Sequence, residues 1–147
     1  MYLDSAIIVK LVIHEADSHF YAQALQGKTG LKTSALARTE CYAALCRKQR
    51  EGAITATVRQ TAWTKIEGFF AGGSIQLVPI TDKILADANL ILEKCQGHVA
   101  LRSLDAIHLA TCQATGAFPI YANDQRLRQA ATHLQCPVAT LPLGTVR

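Results

Sequence analysis

Residues 101–112 constrain this chain more than any other stretch. Leu104, Ile107, Leu109, Ala110 and Cys112 make the segment nearly all apolar, and it reads as a buried amphipathic helix. Such a helix has little reason to keep an ionisable group unless that group caps it or does chemistry, yet Asp105 stands in its first turn. An exposed acid there gains about 0.3–1 kcal/mol from the helix dipole. Taken alone, Asp105 is therefore as well explained by helix initiation as by function. What bears on the choice is that three further acids, Asp4, Glu40 and Asp124, occupy comparable places elsewhere in the chain.

Alternating elements surround that stretch. Tyr2 and Leu3 open a very short strand, and Ser5 can cap a helix over 6–13. A helix is expected over 16–26, a strand over 31–33, and a long helix capped by Ser34 running to Glu51, where Gly52 stops it. Helix 55–70 carries Trp63, strand 75–80 ends at Pro79-Ile80, and helix 81–95 is capped by Thr81. After the 101–116 segment come strand 119–122, helix 124–134 and a last strand over 138–141. Strands alternating with helices imply an α/β domain with a mainly parallel sheet, whose ligands bind beyond the carboxyl ends of the strands.

At 147 residues, half of them hydrophobic and 18% charged, the chain is expected to form one domain over 1–147 with a real core, and general disorder is excluded. No apolar run approaches the ~20 residues of a membrane span. The start, Met1-Tyr2-Leu3-Asp4, lacks a basic leader. The five cysteines are odd in number and contain no C-x-x-C pair, so reduced core thiols and a cytoplasmic location are expected. The net charge of +4 is mild, but basic residues gather at Arg47-Lys48-Gln49-Arg50 and near Arg126 and Arg128. A solvated helix end and a nucleic-acid contact both account for the first cluster.

Asp4 and Asp124 each follow a strand and precede a helix, where Asp is a leading capping residue. Glu40 lies beside the apolar stripe Ala37, Cys41, Ala44 and Leu45, where an ion pair with Arg38 or Arg47 would also explain it. If the junctions converge, the carboxylates repel one another by about 4 kcal/mol per pair at 4 Å and an effective dielectric of 20. Such a cluster takes up protons or binds a cation, and hard oxygen ligands suit Mg²⁺ or Mn²⁺.

Four segments, 3–11, 34–40, 104–111 and 122–127, resemble the four acidic motifs of PIN-domain ribonucleases, most closely those of VapC-type toxins from toxin–antitoxin pairs. The resemblance spans essentially the whole chain in the right order. It implies a three-layer α/β fold with a five-stranded parallel sheet between helices, and a Mg²⁺- or Mn²⁺-dependent endoribonuclease acting on RNA. It also implies homodimerisation and inhibition by a cognate antitoxin, while the lack of a spanning apolar run leads us to expect no membrane partner. By resemblance Asp4 and Asp105 are the principal metal ligands, Glu40 and Asp124 complete the catalytic pocket directly or through water, and Ser5 and Asn123 support it. Ala6 and Ala122 depart from the family pattern, which often has hydroxyl residues there. His108 is read as packing rather than as a base, and Tyr42 and Tyr121 as core or rim residues.

Two other classes compete. One is a catalytically weak PIN-like RNA- or protein-binding module whose acids dock an arginine from a partner. The other is a dehalogenase-like phosphatase or receiver domain, but Asp4-Ser5-Ala6 lacks the second acid of a D-x-D motif. An antitoxin helix is expected across 6–13 and 55–70, near Trp63, Phe69 and Phe70, sending an Arg or Lys toward Asp4 and Asp105.

Overall fold

Strand β1 (Tyr2–Leu3) has two residues, both with no exposed surface, and they face opposite ways. In the computed structural model, which describes residues 1–140, Tyr2 packs into one hydrophobic layer and Leu3 into the other. That alternation follows from the two-residue repeat of a strand and requires cover on both faces of the sheet.

The Leu3 face is covered by α1 (Ser5–Lys10), α2 (Ser18–Leu25), α3 (Leu36–Arg50) and α4 (Ala56–Ala71). The Tyr2 face is covered by α5 (Asp82–Cys95), α6 (Ser103–Thr115) and α7 (Gln125–His133). Between them, β2 (Leu31–Ser34), β3 (Ile75–Val78) and β4 (Ile120–Tyr121) join β1 in a parallel sheet of order β3-β2-β1-β4. The chain winds outward from β1 through β2 to β3, then returns to place β4 on the other side of β1. The strand order therefore reverses between β1 and β4, and the crevice beyond their carboxyl ends is where such sheets receive ligands.

The sheet has four strands among the described residues, not the expected five. Val138 makes only an isolated parallel bridge to Ile120, with Ile120 N–H bonded to Pro137 O and Ala139 N–H bonded to Ile120 O. Pro137 has no N–H to continue the ladder, and Leu141 lies outside the described residues.

Helix α1 ends at Lys10, three residues short of the expected limit, and its cap is Asp4, not Ser5: Asp4 Oδ1 accepts the Ile7 N–H at 3.0 Å. Helix α3 begins after Ala35, with Ser34 Oγ accepting the Leu36 N–H at 3.2 Å. Thr55, Thr81 and Asp124 cap α4, α5 and α7 through their side chains. Helix α6 has no side-chain cap at its start, and stops at Gly116 in the left-handed conformation, φ +59°. The five cysteines are free thiols, and all but Cys46 are buried. Among the described residues no helix is long and apolar enough to cross a membrane.

Candidate acidic active site

Asp4 follows β1 directly and Asp124 comes three residues after β4, so the two flank the point where the strand order reverses. Glu40 lies in the second turn of α3, which leaves β2, and Asp105 in the first turn of α6, which precedes β4. Helices connecting parallel strands run back against them, so these helix starts lie at the carboxyl edge of the sheet. All four acids line one cleft of about 400 Å³, together with Ser5, Ala6, Arg102, His108 and Asn123.

The acids have different surroundings. Asp4 is 5% exposed and Asp105 7%, while Asp124 and Glu40 are partly exposed. Asp4 Oδ1 caps α1, and Oδ2 accepts the backbone N–H of Asn123 at 3.3 Å. Burial outweighs these bonds and pushes the Asp4 carboxyl up to about 6. Glu40 Oε1 accepts Ser5 Oγ at 2.6 Å and faces His108 Nε2 at 2.6 Å. Burial would raise Glu40, but the hydrogen bonds from His108 and Ser5, with the charge of Arg102 nearby, hold it below the ordinary glutamate range.

Sequence reasoning assigned His108 to packing, and it is buried, but it is also a link in a polar chain. Its Nδ1 lies 2.7 Å from Tyr2 Oη, which accepts the Ser34 N–H at 3.0 Å. With the ring neutral, the Tyr2 proton points to Nδ1 and the Nε2–H faces Glu40. Burial raises the Tyr2 phenol far above its ordinary value, so it remains a donor. The hint in the sequence was the repeat of Asp105 and His108 three residues apart, which puts both on one helix face. Glu40 itself pairs with neither Arg38 nor Arg47: Arg38 is bonded to Glu67 through two nitrogens.

Arg102 is the residue sequence reasoning missed. Its Nε lies 2.8 Å from Asp105 Oδ2, and its Nη2 lies 2.9 Å from Asp124 Oδ2 and 3.4 Å from Asp105 Oδ1. Asp124 Oδ1 meanwhile accepts the N–H groups of Arg126 and Leu127 as the α7 cap. A guanidinium from this chain itself therefore spans two of the four acids.

Of the supporting residues, Ser5 acts on Glu40 through its hydroxyl and Asn123 on Asp4 through its backbone. Ala6 is exposed in the cleft, and Ala122 is buried with its carbonyl bonded to Arg128 Nη1. Arg128 also bonds to Ala139 O, so it ties the segment after α7 to the loop after β4 and is not among the cleft-lining residues. Arg47 and Lys48 do line the cleft, both about two turns past Glu40 on α3. Lys48 is paired with Glu15, which also holds the buried Lys10 at 2.5 Å, while Arg47 is 59% exposed and, among the described residues, has Glu51 at 4.0 Å as its one ion-pair partner. Tyr42 stacks edge-on against Trp63 at 4.9 Å, away from the acids.

The donor set consists of hard oxygens, and a guanidinium already spans two of them, so the site's chemistry fits a small divalent cation. Among the described residues no three His, Cys, Asp or Glu side chains are drawn together closely enough to hold an ion as they stand.

The family model described as PIN domain matches residues 1–132. Ribonuclease VapC46 of Mycobacterium tuberculosis is 35% identical over 136 residues, covering 91% of this chain and 92% of the relative. Ribonuclease VapC35 of the same organism is 32% identical over 146 residues, 94% of each. The crystal structure of Mycobacterium tuberculosis VapC20, a sarcin–ricin-loop-cleaving toxin, superposes with a TM-score of 0.69, covering 88% of this chain and 93% of that one. At 15% identity it supports the fold alone.

Proposed function

This chain belongs to the PIN-domain family, among its VapC ribonucleases, and from that premise we propose that its acidic cleft hydrolyses RNA phosphodiester bonds with Mg²⁺ or Mn²⁺ as the toxin of a toxin–antitoxin pair. The observation that carries the reading is four carboxylates from four separate elements lining one cleft at the strand-order reversal. Asp4 and Asp105 would hold the cation, with Glu40 and Asp124 joining directly or through water. When bound, the cation supplies an activated water and neutralises charge on the phosphodiester.

The protein's own groups do the positioning. Ser5 and His108 fix one oxygen of Glu40, and the Asn123 N–H and the α1 start fix Asp4. Arg47 and Lys48 on the rim give the RNA backbone a cationic track running away from the acids. The protein partner is a cognate antitoxin. Trp63, Phe69 and Phe70 are half-buried against the α1–α4 layer, and Phe69 also lines an apolar groove with Leu11, Leu25, Leu31 and Ile75. An amphipathic antitoxin helix would lie along that edge, and a homodimer would complete the assembly.

Purified protein should cleave RNA with Mg²⁺ or Mn²⁺, lose cleavage in EDTA and recover it when metal is restored. Undiminished cleavage in chelator would sink the metal reading. No cleavage in any metal, with RNA still bound, would favour the catalytically weak binding module. Co-expression with the neighbouring small gene product should give one co-eluting, inactive complex on size exclusion.

A further inference from the structure

Every acid in the cleft is already engaged by protein donors. Asp4 is held by backbone N–H groups, Glu40 by Ser5 and His108, and one oxygen of Asp124 by the start of α7. Backbone donors at helix starts cannot leave without unravelling a turn. Only one side chain could move and free two carboxylates at once, and that is Arg102. Among the described residues its hydrogen bonds go to Asp105 and Asp124 alone. Its side chain is 53% exposed against 11% for Asp105, so the cation can pass into water where the acid cannot. It makes no side-chain cap for α6, so its departure leaves the helix intact.

We propose that Arg102 is a resident counter-ion of the acidic site, which competes with the divalent cation for Asp105 and Asp124 and must swing out for the site to load. This rests on the metal-dependent reading above. A guanidinium bonded to both carboxylates satisfies in the free protein the charge that the ion satisfies in the loaded one. One positive group and a doubly charged ion cannot occupy the same oxygens, so each excludes the other. The metal-free protein is thereby spared two unpaired acids. The consequence is weaker metal binding, because the ion's affinity is reduced by the fraction of molecules in which Arg102 blocks it.

The test is titration calorimetry of the full chain with Mn²⁺ alone, alongside thermal melting of the metal-free forms. Arg102→Gln should bind Mn²⁺ more tightly than the parent, on the order of tenfold. Its metal-free form should melt lower, and its melting point should rise further on adding Mn²⁺. Arg102→Lys should fall between the two, since it keeps the charge and loses the two-pronged contact. Arg47→Gln removes the same charge from the rim of the cleft without touching the acids, and should change affinity by no more than about twofold. Equal or weaker Mn²⁺ binding by Arg102→Gln, with the parent still cleaving RNA in Mn²⁺, overturns the inference alone. So does an Arg47→Gln effect as large as that of Arg102→Gln. Absence of Mn²⁺ binding in every variant overturns the metal reading and this inference together.

Discussion

Asp4 serves two physical purposes that pull in opposite directions. As a cap its side chain accepts the Ile7 N–H, and as a buried carboxylate its ionisation is disfavoured, with the carboxyl raised from 3.8 to about 6. A raised folded value stabilises fully below the unfolded pKa, and that contribution is lost as pH rises through about 6. That difference in ionisation is worth roughly 3 kcal/mol. Glu40 and Glu15 are shifted the other way, so they lose stability only at lower pH, as it falls through their depressed values. Between about pH 7 and 5 the metal-free protein should therefore gain stability as pH falls. Asp4→Asn should flatten that gain while keeping an oxygen for the cap, and Asp4→Ala should lose the cap at about 1 kcal/mol. Urea denaturation in EDTA at several pH values checks both. Asp105→Asn is a different case, because Arg102 already offsets the Asp105 charge. The four acids were legible because each breaks a local pattern. Arg102 and the Tyr2 link to His108 were not, since Tyr2 and His108 are 106 residues apart and nothing local marks the pair.

The elements were legible where periodicity and caps agreed. Helix α5 begins at its expected cap Thr81 and ends at its expected residue, Cys95. The boundary errors came from competition between neighbours. Asp4 and Ser5 can both cap α1, and the sequence does not reveal that Ser5 Oγ is drawn away to Glu40. The apolar run 11–13 continues the apolar pattern of the helix, and Val12 and Ile13 are half-buried and buried, yet the chain leaves the helix at Leu11. The fifth strand failed because a strand is defined by its partner, and Val138 meets only Ile120. Helix α6 tests how far its two ends are independent. Gly116 holds a left-handed conformation in which an added Cβ meets no atom within 4 Å, so the cost of Gly116→Ala is conformational alone. It should lower stability by about 1–2 kcal/mol in urea denaturation. Metal-dependent cleavage should be unchanged per folded molecule, because the acids lie at the other end of the helix.

At the scale of the molecule, the charge of +4 is small, so attraction to RNA depends on where the cations sit. Arg38 is tied to Glu67, Arg128 to backbone carbonyls, and Lys10 to Glu15 and Asp17. Arg102 is held by acids and Lys48 by Glu15. Of the cations lining the cleft, Arg47 alone combines high exposure with a distant acidic neighbour. If the backbone of single-stranded RNA runs along α3 from Glu40, Arg47 meets a phosphate and releases a counterion when it does so. Each such contact on a single strand adds about 0.7 to the slope of log affinity against log salt. Binding of a labelled single-stranded RNA, measured by anisotropy in EDTA to prevent cleavage, should therefore weaken steadily with salt. Arg47→Gln should lower the slope by about 0.7, while Glu15→Gln, which releases Lys48 from its partner, should steepen it. A slope unmoved by either change would place the RNA on another face and leave the α3 track without a role.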